Sequence, residues 1–407
     1  MSIILIGLIN SVAIGDEITP QHFGAITDDG VDDSYAVQKA ITALKAGDSL
    51  FFPAGRYDIA KQLYAVAMDN NRFYGEMGSQ LVKMDSFAGE YLLQIRYSRN
   101  ITIDHLSFQG LTSDSKAMVW GEQGVFLGST RDARIEDNIF RDFGDACLRV
   151  TTADEPPKGV YSFDAVIEKN QFLNCNQVTT TQVNESYGAT QNITFQWNYF
   201  DGLKGSLKLC SRQPVSGGVI RNNLMLNNKK HAIEVCSYSD VLIEGNYIKN
   251  TQGYAINYYE NRNFHWNDHT IRNNVIEDSE YGLGFWAVMP GSTYGPVSNT
   301  RILGNCFANI RGGDSPKSVI RLTSKEPDVS YRGVNVEGNQ FYNVRPQTLV
   351  SIANSATDVF QSENREVNSD CVPWGISYLG TTKQWLRYRN HSFYPLFWQS
   401  SVNGLSR

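Results

Sequence analysis

Charge is scarce in this sequence, and what there is leans acidic. Asp, Glu, Lys and Arg make up 19% of the 407 residues, the formal net charge is −6 and the pI is near 5.6. Affinity for nucleic acid rests largely on clustered Lys and Arg, so no nucleic-acid partner is expected and any anion contact has to be local. Cysteine is sparse too: six residues in a chain this long are too few for a disulfide scaffold, and no CxxC pair marks a zinc site. Long apolar runs are missing beyond the N-terminus, which argues against a membrane helix and for a soluble mature chain. The one apolar run, Ile3 to Gly15, is followed by Asp16 and Glu17 and has the length of a signal-peptide core, although a basic segment before it is absent. Residues 1–16 are therefore expected to be a signal-peptide remnant and the protein to be secreted or periplasmic. The alternative for this run is a buried first strand.

What is present is enough for a packed core: 41% hydrophobic residues and 34 glycines. One short pattern recurs, reading apolar, x, x, Asn, x, apolar. It runs through IEDNIF (Ile135 to Phe140), IEKNQF, FQWNYF, IRNNLM, IEGNYI, IRNNVI, ILGNCF and VEGNQF (Val336 to Phe341), with a worn copy, IDHLSF, at Ile103 to Phe108. The asparagines, Asn138, Asn170, Asn198, Asn223, Asn246, Asn274, Asn305 and Asn339, are spaced at a solenoid period. Each copy is β-rich and bounded by turn formers, so it predicts a strand, a tight bend and a second short strand. Asn suits such a bend because it tolerates left-handed backbone, and stacked copies can hydrogen-bond in a ladder. These asparagines are expected to be architectural and stand outside the site.

The segment His22 to Ile41, HFGAITDDGVDDSYAVQKAI, resembles the opening signature of the pectate-lyase-like right-handed parallel β-helix superfamily. That group holds polysaccharide lyases, glycoside hydrolases, uronan epimerases and phage tailspikes, so the resemblance implies the fold and leaves the reaction open. The expected architecture is all-β: a single parallel β-helix domain over 17–407, with an N-terminal cap and first strands at 17–60 and a C-terminal tail at 356–407 packing on the solenoid. Asp32 or Asp33 should cap a helix whose apolar face is Ala36, Val37, Ala40, Ile41 and Leu44, and this helix should plug the open end.

After each Asn bend comes another short strand, and alignment by inward apolar positions puts Arg149, Lys208, Glu234, Asn257, Gly284, Arg321 and Ser351 in one outward column. A neighbouring column carries Thr151, Cys210, Cys236, Tyr259, Trp286 and Thr323. The register of Thr179 to Asn184 stays open. Stacked strands lie about 4.8 Å apart, which brings the heads of Arg149, Lys208 and Glu234 within roughly 5 to 10 Å. Cys210 and Cys236 fall within bridging distance. Cys147, Cys175 and Cys306 read as buried apolar residues. Tyr258, Tyr259, Trp286 and His265 add aromatic surface beside the charges. An ordinary Lys208–Glu234 surface pair without function is the plainer reading.

The resemblance implies a glycan groove and two chemistries for it. The first is β-elimination on a uronate polymer such as alginate or pectate, with Lys208 as base, Arg149 neutralising the carboxylate and Tyr259 or Arg212 protonating the leaving oxygen. Glu234 would oppose deprotonation of Lys208. The second is glycoside hydrolysis, for which Asp145 and Glu234 are the available carboxyl pair. GDACLR at Asp145 resembles the GDDC strand of polygalacturonases, but Ala146 replaces the second Asp, the GHG and RIK motifs are absent, and so is the DPHE motif of alginate epimerases. A tailspike- or adhesin-type glycan binder is the non-enzymatic alternative. The expected substrate contacts are Asp145, Arg212, Asn257, Tyr258, His265, Trp286 and Arg321. The sequence assigns no cofactor; Ca²⁺ beside Glu234 is the one ion considered, without the clustered carboxylates it favours. A monomer is expected.

Overall fold

A computed structural model describes residues 15–114, 117–153, 162–181, 190–259, 267–287, 297–312, 318–324, 331–346, 348–352 and 356–368, with the backbone alone at 212–214, 259, 286–287 and 323–324. An apolar repeat of some 30 residues cannot bury its own face, so successive repeats stack into a continuous core. The chain winds as a parallel β-helix in which three sheets form the walls. Sheet A stacks Ser49–Phe52, Arg72–Gly75, Thr102–Asp104, Arg134–Glu136 and their successors up to Thr357–Ser362. Sheet B stacks Ser107–Gln109, Ile139–Arg141, Gln171–Leu173 and successors up to Arg365–Glu366. Sheet C stacks Gln123–Gly128, Ala146–Thr151, Gln177–Thr179, the start of Leu207–Arg221, the start of Ile233–Glu244, Tyr254–Tyr259, Tyr281–Ala287, Ile320–Ser324 and Val350–Ile352.

Inward positions repeat from coil to coil, so like side chains stack. Phe108, Phe140, Phe172 and Phe200 lie ring on ring at 4.9 to 5.0 Å and are wholly buried. Met225, Ile248, Ile276, Phe307 and Phe341 continue the column in register.

The asparagine ladder forms between sheets A and B. Each Nδ2 donates to the Oδ1 of the next, from Asn138 to Asn170 at 3.1 Å through to Asn305 and Asn339 at 3.0 Å. A further rung, Asn364, accepts from Asn339 at 2.8 Å. Each Oδ1 also accepts the main-chain N–H of the preceding rung, and Nδ2 a second time donates to a carbonyl, as Asn198 does to Ile167. The left-handed residue of the bend is the one before the asparagine: Asp137, Lys169, Trp197, Asn222, Gly245, Asn273, Gly304 and Gly338 all have positive φ. The Asn is therefore selected for its amide rather than for backbone tolerance, which corrects the reason expected for it. Removing one buried amide would strand its partners at about 1–3 kcal/mol each.

The capping helix is Ser34–Ala43, with Ala36, Val37, Ala40 and Ile41 buried against the first coil and Leu44 partly buried. Asp33 stands at its N-cap, but its carboxylate accepts from the N–H groups of Ile26 and Asp58 instead of capping the helix. Asp32 accepts from Ser34 N–H at 2.9 Å and ties the helix start to Ala60. Burial raises the Asp33 carboxyl to about 6. The expected signal segment lies outside the described residues up to residue 14, and the tail from 369 onward lies outside them too.

Two disulfides cross between adjacent coils: Cys210–Cys236, whose bridging the sequence left open, and Cys147–Cys175 in the core. Cys306 is disulfide-bonded as well. The reading of Cys147, Cys175 and Cys306 as buried apolar residues is thereby corrected: they are buried, but bonded, and Cys147 and Cys175 meet across adjacent coils with Cα atoms 5.8 Å apart.

Candidate functional site

The outward row on sheet C is continuous in register: Phe126, Arg149, Thr179, Lys208, Glu234, Asn257, Gly284, Arg321 and Ser351 are successive partners. Thr179 fills the rung that the sequence left open. In the neighbouring column Cys210 faces Cys236, and Tyr259, Trp286 and Thr323 are register partners.

Two polar clusters occupy this face. At the middle, Lys208 Nζ lies 3.6 Å from Glu234 Oε1, and Lys230 Nζ lies 3.8 Å from Glu234 Oε2. Lys208 and Glu234 are largely shielded, with side chains 12% and 8% exposed, while Lys230 is 60% exposed at the rim. Beside Lys230, His231 accepts the N–H of Tyr254 on Nδ1 at 3.0 Å. Burial lowers His231 to about 4, so at neutral pH it is an uncharged imidazole whose proton is on Nε2. Its ring adjoins Tyr254, which stacks on Tyr281. Asn257 follows Glu234 in the row, and Gly284 after it leaves a rung without a side chain. The disulfide Cys210–Cys236 lies two residues past Lys208 and Glu234 on the same strands, so it cross-links the two coils that carry the ion pair.

The second cluster is nearer the N-terminal end and closed. Arg149 is 2% exposed; its Nε donates to Gln123 at 2.8 Å, Nη1 to the Thr181 carbonyl at 2.6 Å, and Nη2 lies 3.5 Å from Asp145. Asp145, 1% exposed, also accepts from Gln177 Nε2 at 2.9 Å and Gly121 N–H at 3.1 Å. Lys83, 2% exposed, reaches Glu122 at 3.3 Å and the Glu90 carbonyl at 3.0 Å, and burial lowers it to about 8.

Several expected assignments change in this light. Arg149 and Lys208 are two coils apart with Thr179 between them, and the guanidinium is committed to Gln123, Thr181 and Asp145, so Arg149 does not join Lys208 in one centre. Asp145 is three coils from Glu234, roughly 14 Å at the usual strand spacing. That is beyond the roughly 5 to 9.5 Å required of a glycosidase carboxyl pair. Tyr258 points into the core, wholly buried and stacked on Phe285 at 4.1 Å, because it alternates with Asn257 along the strand. It is not a substrate contact. Arg321 is on the row and half-buried. Arg212, Tyr259 and Trp286 lie in described strands, but their side chains, and all of His265, lie outside the described residues. Lys230 was missed: its signal, the spacing of Lys230 and Glu234 across a turn in KKHAIE, belongs to a turn and not to the strand pattern.

Among the described residues, one group of three could hold a metal, Cys210, Glu234 and Cys236. Both sulfurs are bonded to each other, which leaves Glu234 as a single oxygen donor. That donor set does not fit Ca²⁺, which takes six to eight oxygens. The described cavities do not touch Lys208 or Glu234: one of about 540 Å³ lies between Asp28, Arg56, Asp58 and Lys83, and one of about 560 Å³ beside Lys249, Asp278 and Arg311. The side chains, not the enclosed volume, mark sheet C, since an extended polymer needs a groove and not a closed pocket. No helix among the described residues is long and apolar enough to cross a membrane.

Comparison with known proteins bears on the fold. Residues 123–307 match the family described as right handed beta helix region. The match and the strand topology agree on the fold, a right-handed parallel β-helix. No curated protein sequence matches it. Similar solved structures include the Streptococcus pneumoniae surface protein and adhesin PfbA, with TM-score 0.61 and 13% identity over 87% of this chain and 98% of that one. The family 28 exopolygalacturonase of Yersinia enterocolitica gives TM-score 0.61 and 14% identity over 88% of this chain and 79% of that one. The GH87 α-1,3-glucanase of Streptomyces thermodiastaticus strain HF3-3 gives 0.59 and 14% over 88% and 70%. At these identities the likeness is one of fold.

Proposed function

We propose that the protein acts on an acidic polysaccharide laid across sheet C along the solenoid axis, and that it cleaves the polymer by β-elimination at Lys208, Glu234 and Lys230. The observation that carries this reading is one carboxylate held between two ammonium groups, at 3.6 and 3.8 Å, on a continuous outward row. A uronate supplies a negative charge of its own, and the exposed Lys230 can neutralise it, which acidifies the adjacent C5 proton. The step requires the proton of the Lys208–Glu234 pair to pass to Glu234, a transfer that discharges both groups and that exclusion of water by the bound sugar would favour. Neutral Lys208 takes the C5 proton, the C4–O bond breaks, and Glu234 protonates the leaving oxygen. Lysine is then ammonium and glutamate carboxylate, as at the start. The opposition between Glu234 and a basic Lys208 becomes the source of both acid and base. Tyr259 remains an alternative donor to the leaving oxygen, with Asn257 and Arg321 contacting neighbouring sugars.

Glycoside hydrolysis is the second reading, favoured by the exopolygalacturonase and the α-1,3-glucanase among the structural relatives. It requires a carboxylate partner for Glu234 other than Asp145. Incubation with polygalacturonate, alginate and α-1,3-glucan separates the readings. Ultraviolet absorbance of an unsaturated product, rising with reducing ends, supports elimination. Reducing ends alone replace elimination by hydrolysis, and retained binding with neither product replaces both by a glycan-binding role. The disulfides Cys147–Cys175 and Cys210–Cys236 support an oxidising location, secreted or periplasmic.

A further inference from the structure

The closed cluster around Arg149 has no part in that chemistry, yet it gathers Lys83, Glu122, Asp145 and Arg149 in a place where charge is costly to bury. What these groups hold are the segments 111–114 and 117–122. The Glu122 carboxylate accepts from Gly144 N–H and Thr112 Oγ1 and pairs with Lys83. Asp145 accepts from Gly121 N–H at 3.1 Å, and Val119 N–H donates to the Gly144 carbonyl at 2.9 Å. Asn174 Nδ2 donates to the carbonyls of Thr112 and Ser113. In the second segment stand Met118, Val119 and Trp120, and Trp120 is 69% exposed. An indole on a mobile tip would fold back onto apolar surface. Here the backbone is tied on both sides of it, at Gly121 by the buried Asp145 carboxylate and at Val119 by the Gly144 carbonyl, so the ring is held in solvent.

The geometry points to Trp120 as a sugar-stacking platform, a remote subsite of the sheet C groove that takes a pyranose ring of the polysaccharide. Continuity with the groove identifies the occupant: the second segment leads directly into the strand Gln123–Gly128 of sheet C, and the group that fixes Gly121 is Asp145, whose other oxygen faces Arg149 on the outward row. A pyranose has one apolar face of C–H bonds and a polar edge. It suits a flat, rigid, amphipathic ring flanked by charged groups. Four coils separate Phe126, on the strand that Trp120 leads into, from Glu234. At the usual spacing that is roughly 19 Å, so a polymer reaches both and a disaccharide bound at Glu234 does not reach Trp120.

The position of this subsite relative to the reaction rests on the proposed function, but binding at Trp120 does not, and the test separates the two. Full-length protein, Trp120→Ala and Trp120→Phe are compared by affinity electrophoresis in gels containing polygalacturonate, alginate or α-1,3-glucan, and by turnover of polymer against a disaccharide or trisaccharide of the same sugar. Thermal melting checks folding, which an exposed position should leave intact. Trp120→Ala is expected to weaken retardation by the preferred polymer about tenfold, the scale of one aromatic stacking contact, with Trp120→Phe near wild type. Polymer KM should rise while short-substrate turnover is unchanged. Wild-type retardation by Trp120→Ala in every gel overturns the subsite, as does an equal loss of short and long turnover. Should loss of Lys208 leave turnover intact, the catalytic reading fails and the electrophoresis still decides the role of Trp120.

Discussion

Two polar clusters share one face of one sheet, and they differ in how completely their charges are satisfied. Around Arg149 nearly every described donor meets an acceptor, exposure is at most 2% for Lys83, Asp145 and Arg149, and the contacts run to main-chain atoms of loops. Around Glu234 the contacts are long for ion pairs, 3.6 and 3.8 Å, one lysine is open to solvent, and the next rungs are an amide and a bare glycine. The first arrangement rigidifies, since a buried charge that loses its partner is strongly unfavourable. The second presents an exposed ammonium, Lys230, to a ligand on the face. Proximity of charges along the row therefore does not identify a catalytic centre; their access to solvent has to be read with it.

Substitution can break this contrast. The largest effect is expected at Glu234→Gln and Lys208→Ala, which should lower turnover of the preferred polymer by about 10²- to 10⁴-fold per folded molecule, the scale of lost acid–base catalysis, with a smaller loss of stability than at Arg149 where Glu234 keeps Lys230. Arg149→Ala should do the reverse. It leaves Asp145 without its cation and should cost about 3–5 kcal/mol in denaturant unfolding, while the folded fraction keeps its turnover on short substrates. A comparable loss of chemistry per folded molecule would merge the two clusters into one. Joint replacement of Cys210 and Cys236 by Ser removes the cross-link beside the ion pair and should cost about 2–4 kcal/mol of stability. Asn198→Ala, in neither cluster, should cost about 1–3 kcal/mol through stranded ladder partners and leave turnover unchanged. The smallest effect concerns the cap. Asp33 holds its proton up to about 6 in the folded state, against 3.8 for the free side chain, so its contribution is fully present below about 4 and is lost as pH rises through 6. Asp33→Asn should flatten the stability profile in that window, as read from melting curves between pH 4 and 7.

The architecture was legible because it is periodic. Asn138 to Asn339 and the stacked phenylalanines repeat a local rule, and the register of Lys208, Glu234, Asn257 and Arg321 follows from counting between inward anchors. Counting fails at turns, whose lengths vary from coil to coil. Lys230 and Trp120 lie in turns and were invisible to it, as was the Asn364 rung past the recognised repeats. Burial is the other quantity that counting omits. Alternation says that Arg149 points outward, but not that a loop and its neighbours close over it. For Tyr258 the alternation itself, applied strictly, already put the ring inside.

Because every asparagine rung bonds to the next in the same sense, the solenoid has no unique middle. Duplicating or excising a coil would lengthen or shorten the face by one sugar-sized increment, without redesign of the coils on either side. The interval between Trp120 and Glu234 is in that sense a ruler marked in coils, and selection can set the reach of the protein along a glycan by whole-number edits to its gene.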